Sequence, residues 1–590
     1  MRLINFAVNN FRAISGGLEN NQINFDGSNT IFIFGQNNVG KSTFLAAYEF
    51  IYQNKAAVPD DFYKRDESNL MEFFLTLGID DIDLNYIKEK QPTKLDSFKS
   101  YLSASSTIQI RRTISLTKEK EDFKVGKASD MTLNPATGEW DKSYFGTIGL
   151  VQVFQHLMPT PILIKAMPTE QEVESIVNEI LASKAKNKLS EKEFKELKEA
   201  QEKVQSLQEK MYNPASIGKY KEEVNKHFQQ LFSDTMIEIE DSDKVKWTED
   251  KFGKKFSVEF QKKNPDGSHD QTTPSSYNSI GHGAVRSAIF SLLLMRDVAE
   301  ELSRHPNRKD YLILFEEPEL FLYPKILRSL RELIYDVSEL DFPYQILCAS
   351  HSPQMIDLSK RNSTLIRMVR GSTGTKLYQI KDEDLKEAKG AKSIDDLKQA
   401  MYEVLRFNPH ICESFYADEV LLVEGPTEEI LIRGILQKLN PSKDLFVVNC
   451  GTVNNIPFYQ KVYRKFAIKS HVICDTDSEE LGSADGFGNP TFSNGIQNSI
   501  YAEHHSNCTN TPKIGGLLRV HVTTFEVAHA SEKVHSSLQY PTEKYFESHG
   551  KPFNANKYWC EILEPNFESE HISSVPIISY LREIVTFSWE

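Results

Sequence analysis

Ile31-Phe-Ile-Phe34-Gly35-Gln-Asn-Asn38-Val-Gly40-Lys41-Ser42-Thr43 joins a short apolar run to a turn punctuated by glycine. Phe44, Leu45 and Tyr48 follow at helical spacing. The stretch fits the phosphate-loop pattern GxxxxGK[ST] in full, with a strand before it and a helix after it. Glycines let backbone N–H groups curl around phosphate oxygens, and the helix N-terminus adds the positive end of its dipole. Lys41 would reach the β- and γ-phosphates, and Ser42 would ligate Mg²⁺. Gly35, Asn38, Gly40, Lys41, Ser42 and Thr43 are therefore the expected nucleotide-binding residues.

Farther along the chain, Leu312-Ile-Leu-Phe-Glu316-Glu317-Pro-Glu319 is an apolar strand ending in acids. Glu316 is placed to hold the Mg²⁺ water shell, and Glu317 to polarise an attacking water. The strand Gln345–Ala349 leads into Ser350-His351-Ser-Pro353, where His351 can contact a γ-phosphate. Asn278-Ser279-Ile-Gly281-His-Gly283-Ala-Val-Arg286 opens a helix expected over 284–299. Its Ser279, Gly281 and Gly283 suit a further phosphate contact, and a plain helix cap would use the same residues.

A second group of acids begins near Asp418. The apolar run to Val423 ends in Glu424-Gly425, with Pro426 at a helix start and Glu428 one turn on. The run His471-Val-Ile-Cys474 then delivers Asp475-Thr-Asp477, with Leu445–Val448 as a strand between the two. Acids at the carboxyl ends of parallel strands lie where α/β sheets bind ligands. Several of them together repel unless a divalent cation neutralises them.

The 590 residues fit three to four domains at about 150 residues each. Hydrophobic content of 39% and aromatic content of 11% support packed cores and exclude general disorder. No run of about 18 apolar residues is present, so no membrane span is expected. The N-terminus alternates like a strand and does not read as a signal peptide. The formal net charge of −14 argues against a generally basic nucleic-acid binder but permits a local basic groove. The six cysteines form no CxxC pair, and Cys348 and Cys474 read as core residues in a reducing cytoplasm.

Residues 168–235 are rich in Lys, Glu and Gln. Phe194, Leu197, Ala200, Val204, Leu207 and Met211 form an apolar seam, with Ser190 and Glu193 as a capping box. The seam fits equally a helix packed on its own domain and a dimerising arm. Residues 370–415 read as charged and mostly helical. The segment from Leu481 to Asn510 reads as helix-poor and as an insertion facing substrate or partner.

Phosphate loop, small-residue loop, EEPE and His351, in that order, resemble the ABC-type ATPases of the SMC and RecF kind. In that family Gln152 or Gln155 would serve as the Q-loop. The strand-Glu-Gly and DxD pair resembles the TOPRIM domain, which holds Mg²⁺ with such acids and acts on phosphodiester bonds. The two together resemble the OLD (overcoming lysogenization defect) family, on the residues GQNNVGKST at 35–43, EEPEL at 316–320, SHSP at 350–353, VEGPTE at 423–428 and DTD at 475–477. The resemblance implies an α/β chain: an ABC ATPase over 1–167 and 236–370, a helical dimerisation insert over 168–235, a helical linker over 371–415 and a TOPRIM domain over 416–590. It implies an ATP-dependent or ATP-regulated DNA endonuclease, serving in defence against phage. Glu424, Asp475, Asp477 and Lys551, with Glu317 in the ATPase, would be catalytic. Ser42 and Glu316 would hold one metal site; Glu424, Glu428, Asp475, Asp477 and Glu526 the other. The cofactors would be ATP and Mg²⁺, with Mn²⁺ or Ca²⁺ as alternatives in the TOPRIM site. Implied partners are DNA, a second copy of the chain, and a helicase-like protein, as in Gabija, or a retron reverse transcriptase with its small DNA. A non-cleaving ATPase switch or a repair clamp is the competing reading, and the full set of acids speaks against it.

Overall fold

The computed structural model describes residues 1–25, 27–90, 92–119, 122–141, 158–166, 214–231, 235–241, 256–262, 264, 266, 268, 284–285, 287–288, 310–339, 344–360, 363–407, 410–479, 481–510, 513–546 and 550–589. The chain folds as two compact units. One is Met1–Met355 with Arg361–Leu377; the other is Ile356–Lys360 with Tyr378–Glu590.

In the first unit, six strands make a sheet in the order Thr160–Ile164, Tyr311–Glu316, Tyr344–Ser350, Thr30–Phe34, Ser363–Gly371 and Gly374–Ile380. The first five are parallel. Parallel strands are covered on both faces, which is why these segments read as unbroken apolar runs. Every residue of Thr30–Phe34 and Tyr344–Ser350 is buried. The register pairs Glu316 with Ala349 and Ser350 with Phe34. Three motifs far apart in sequence therefore leave the sheet at one edge.

The helix Lys41–Tyr52 packs against a second, antiparallel sheet that includes Arg2–Asn9, Met71–Gly78 and Thr107–Ile114. Phe6 of that sheet meets Phe44 and Tyr48 edge-on, with ring centroids 5.3 and 5.6 Å apart. The Tyr48 hydroxyl donates to Pro159 O at 2.8 Å. Truncating a buried ring such as Phe44 costs about 3–5 kcal/mol, so this packing anchors the phosphate-loop helix firmly. On the parallel sheet, Phe32 packs on Tyr335 of the helix Pro324–Glu339, with centroids 4.9 Å apart.

The second unit holds a four-stranded parallel sheet in the order Leu445–Asn449, Glu419–Val423, Lys469–Asp475 and Gly515–His521. Leu421, Val423 and Ile473 share a core with Leu431, Ile432 and Ile435 of the helix Pro426–Leu439. Tyr558, Ile577 and Leu581 of the helices Lys551–Tyr558 and Pro576–Thr586 complete that core. Gly434 lets Trp559 approach closely: a Cβ there would lie 2.8 Å from the indole ring. The helices Ile456–Lys465 and Gly495–Thr509 lie together, with Gln460 Nε2 donating to Ile500 O at 3.1 Å.

One expectation is corrected. The segment from Leu481 to Asn510 is not helix-poor, since Gly495–Thr509 is a 15-residue helix. Its buried face is Gln497, Ile500, His504, Asn507 and Cys508, so the helical period is carried mostly by polar side chains and escapes an apolar scan. The segment 370–415 is mostly helical, as expected: after the strand Gly374–Ile380, which lies beside Ser363–Gly371, come the helices Asp382–Lys389 and Ile394–Phe407.

Of the zone 168–235, the helix Pro214–Leu231 is described. Ser190, Glu193 and the seam from Phe194 to Met211 lie outside the described residues, as do Gln152, Gln155, Ser279, Gly281, Gly283 and Arg286. Ala284, Val285, Ser287 and Ala288 are helical and buried. Among the described residues no helix is long and apolar enough to cross a membrane.

Candidate functional site

The phosphate loop runs from the strand end at Phe34 to the helix start at Lys41. Gly35 has φ 150° and Gly40 φ 115°, values L side chains rarely adopt. A Cβ on Gly35 would also lie 2.3 Å from Met368 O. Asn38 takes φ 62° and is exposed with Gln36 and Asn37, while Val39 is buried beneath them. Ser42 is exposed and Thr43 half-buried at the helix N-terminus.

Lys41 is buried, and its Nζ donates to Gly35 O and Gln36 O at 2.8 Å each. It also lies 3.2 Å from His351 Nδ1, and His351 Nε2 lies 3.1 Å from Glu317 Oε1. Lys41, His351 and Glu317 thus form one chain of contacts across three strand ends. Burial lowers Lys41 to about 8, against the opposing pull of Glu317 and Glu319. Burial, then the Lys41 charge, lowers His351. Glu317 stands on left-handed backbone at φ 44° and donates its N–H to Ala349 O at 2.7 Å. Glu316 is half-buried at the end of its strand.

In the second unit the register sets Val423 beside Ile473, so Glu424 and Asp475 emerge together. The Asp475 N–H donates to Glu424 Oε1 at 2.6 Å. Glu428 is buried in the first turn of the helix Pro426–Leu439. Glu526 lies in the first turn of the helix Phe525–His529, whose N-cap Thr524 accepts from the Val527 N–H. Lys551 Nζ meets Glu526 Oε1 at 2.6 Å. Asp477 is exposed, on left-handed backbone at φ 50°.

Burial, reinforced by neighbouring acids, dominates the electrostatics. It pushes Glu424 to about 7, with Asp475 and Asp477 adding to the rise. It pushes Glu428 to about 8, with Asp475, Glu424 and Glu526 adding to it. It pushes Asp475 to about 7, where Glu526 and Asp477 add and Lys551 opposes. Glu526 goes the other way: burial raises it, but Lys551 and other hydrogen bonds leave it lowered. The structure therefore brings Glu424, Glu428, Asp475, Asp477, Glu526 and Lys551 within reach of one another's charge. Among the described residues, no three His, Cys, Asp or Glu side chains are placed to hold one metal ion as they stand. The donor set is nonetheless what a hard divalent cation takes: carboxylate oxygens, partly desolvated, in mutual repulsion.

Sequence reasoning assigned no role to several supporting residues. Glu319 accepts from Ser350 Oγ at 2.9 Å and from the His351 N–H, holding the turn that carries His351. Thr476, between the two aspartates, is the hub of their turn. Its Oγ1 accepts from Thr523 N at 2.7 Å and donates to Ser478 O at 2.5 Å. His521 is fully buried with Nδ1 3.3 Å from Asp475 Oδ1, and burial lowers it to about 3. A threonine inside a strand-end DxD was the one available signal; His521 had none.

Residues 1–356 match the AAA ATPase domain family, and residues 415–477 match the overcoming lysogenization defect protein-like TOPRIM domain family. The chain is 25% identical over 460 residues to the Old nuclease of Escherichia phage P2, covering 75% of this chain and 73% of that protein. It is 23% identical over 461 residues to the endonuclease GajA of Bacillus cereus (strain VD045), covering 75% and 69%. Among solved structures it resembles the SmcHead bound to the C-winged helix domain of ScpA. The TM-score is 0.39 at 12% identity, covering 66% of this chain and all of that one.

Proposed function

The chain belongs to the OLD family of nucleases, an AAA-type ATPase domain followed by a TOPRIM domain, and from that premise we propose a divalent-metal-dependent DNA endonuclease regulated by ATP. The observation that carries the reading is the group of buried Glu428 with half-buried Glu424 and Asp475, three acids at one sheet edge, each raised toward or above neutrality. Acids kept costly to ionise beside one another are poised for cations.

In this reading Glu424, Glu428, Asp475, Asp477 and Glu526 hold the divalent metal, Mg²⁺ or Mn²⁺. When bound, such ions supply an activated water and stabilise the leaving oxygen of a phosphodiester. Lys551, half-exposed and paired with Glu526, offers its ammonium to the phosphate as charge develops there. Thr476 and His521 keep Asp475 and its turn in place. In the first unit Gly35, Asn38, Gly40, Lys41, Ser42 and Thr43 cradle the ATP phosphates. Glu316 and Ser42 serve its Mg²⁺, Glu317 orients water, and His351 reports on the γ-phosphate through Glu317 and Lys41. The family reading further supports a second copy of the chain as partner and a role as an effector against phage.

The test is plasmid cleavage by the full chain with Mg²⁺ or Mn²⁺, with and without ATP. Metal-dependent nicking that is lost in Glu424→Ala is the expected result. Nicking in the presence of excess chelator, or undiminished nicking by Glu424→Ala, would overturn the site.

A further inference from the structure

Resting on the reading of Asp475 and Asp477 as metal-holding acids, we propose that Gln497 is a positioning residue for that pair, its side-chain amide fixing the Asp477 carboxylate in the orientation a divalent cation requires. Gln497 lies in the first turn of the helix Gly495–Thr509 and is 8% exposed. Its Nε2 donates to Asp475 O at 3.4 Å and to Asp477 Oδ2 at 3.3 Å. Both neighbours are acceptors, so only the NH₂ end of the amide satisfies them, and each of its two protons has a partner.

Asp477 differs from the other acids of the site. Asp475 is held in the register of its strand, and Glu428 is buried on its helix. Asp477 lies beyond the strand end, exposed, on left-handed backbone. Its main chain is fixed, because its N–H donates to Thr523 O at 2.9 Å and the neighbouring Thr476 ties the turn together. Backbone order alone leaves the carboxylate free to rotate, and ordering it on metal binding would cost entropy. Gln497 removes that freedom in advance, holding one oxygen at a known place.

The choice of an amide has a chemical consequence. A lysine at this position would neutralise Asp477, as Lys551 partly neutralises Glu526. A neutral donor orients the carboxylate and leaves its full charge for the cation, which is how hydrogen bonds from the surrounding shell tune a metal ligand. The segment that reads in sequence as an insertion thus delivers a side chain into the support of the site.

The test is calorimetric titration of Mn²⁺ into the nucleotide-free full chain, with thermal melting of each variant alongside. Gln497→Met keeps the volume and removes the donor; Gln497→Asn keeps the amide one methylene too short. Both are expected to weaken Mn²⁺ binding about tenfold or more, in the range typical of such supporting contacts, with unchanged melting. Both should also lower kcat for nicking more than they change KM for DNA. Asp475→Ala serves as reference. If Asp475→Ala loses Mn²⁺ binding while both Gln497 variants bind like wild type, the role of Gln497 is overturned and the site stands. If Asp475→Ala itself binds like wild type, the metal reading falls and this proposal with it.

Discussion

At the carboxyl edge of the first unit's parallel sheet, burial pulls a cation, Lys41, down to about 8. At the same edge of the second unit's sheet, burial pushes three acids up to about 7 or 8. Both sites use one architectural device, strands that end together and hand their side chains to a common mouth. They differ in the sign of the charge that burial penalises. The first edge gains from a polyanion and the second from a cation. A nucleotide and a divalent metal are the ligands that relieve each.

The largest effects should separate the two edges cleanly. Asp475→Ala should lower DNA cleavage by at least about a hundredfold, more than the loss of a supporting contact around a metal, while ATP hydrolysis persists. Loss of both activities together in a folded variant would break the comparison. The converse variant, Lys41→Ala, should abolish ATP hydrolysis and leave Mn²⁺ binding by the nucleotide-free chain unchanged. That pair of assays would show two independent charge problems.

The two lysines sharpen the contrast. Lys41 is 4% exposed, whereas the Lys551 side chain is 49% exposed and already paired with Glu526. A stabilising donor in a water-excluded site is worth roughly a hundredfold or more in rate. Lys551→Ala should therefore reduce kcat for cleavage by less than that, roughly tenfold, with Mn²⁺ affinity altered little.

How much of this was legible in the sequence follows from where each role is encoded. The phosphate loop, the acids after Phe315 and the acids after Val423 and Cys474 were legible because each is a continuous run: an apolar strand, then the chemistry. Parallel register then brings such runs together without further instruction. Gln497 was not legible, since its helix buries polar residues at the spacing where apolar ones are sought. His521 was not legible because its meaning depends on which strand lies beside Asp475. Glu526 and Lys551 were readable only through the family resemblance, and their ion pair explains why the two come as a couple.

A smaller effect concerns stability. Glu424, Glu428 and Asp475 bind protons more tightly in the folded chain than carboxyls do when unfolded, near pH 4. Their contribution to stability is fully present below about pH 4 and is lost as pH rises through about 7 to 8. The metal-free melting temperature should accordingly fall between pH 6 and pH 8.5, and Mn²⁺ should restore it more at the higher pH. A metal effect equal at both values would contradict the account. Smallest of all, Tyr48→Phe removes only the bond to Pro159 O and should cost about 1 kcal/mol in urea unfolding. Its effect on either activity should be slight, which makes it a baseline for the site variants.

A cation that binds Glu424, Glu428 and Asp475 must displace the protons that desolvation favours on them. Calorimetry of Mn²⁺ binding at pH 7, repeated in buffers of different ionisation enthalpy, counts the protons released. The wild-type chain should release on the order of one proton per site, because metal ligands must deprotonate to bind. The number should shrink as the pH is raised to 9, and Glu424→Ala with Asp475→Ala should abolish it. Identical heats in every buffer at pH 7, with Mn²⁺ still bound, would contradict the claim that these acids hold the metal.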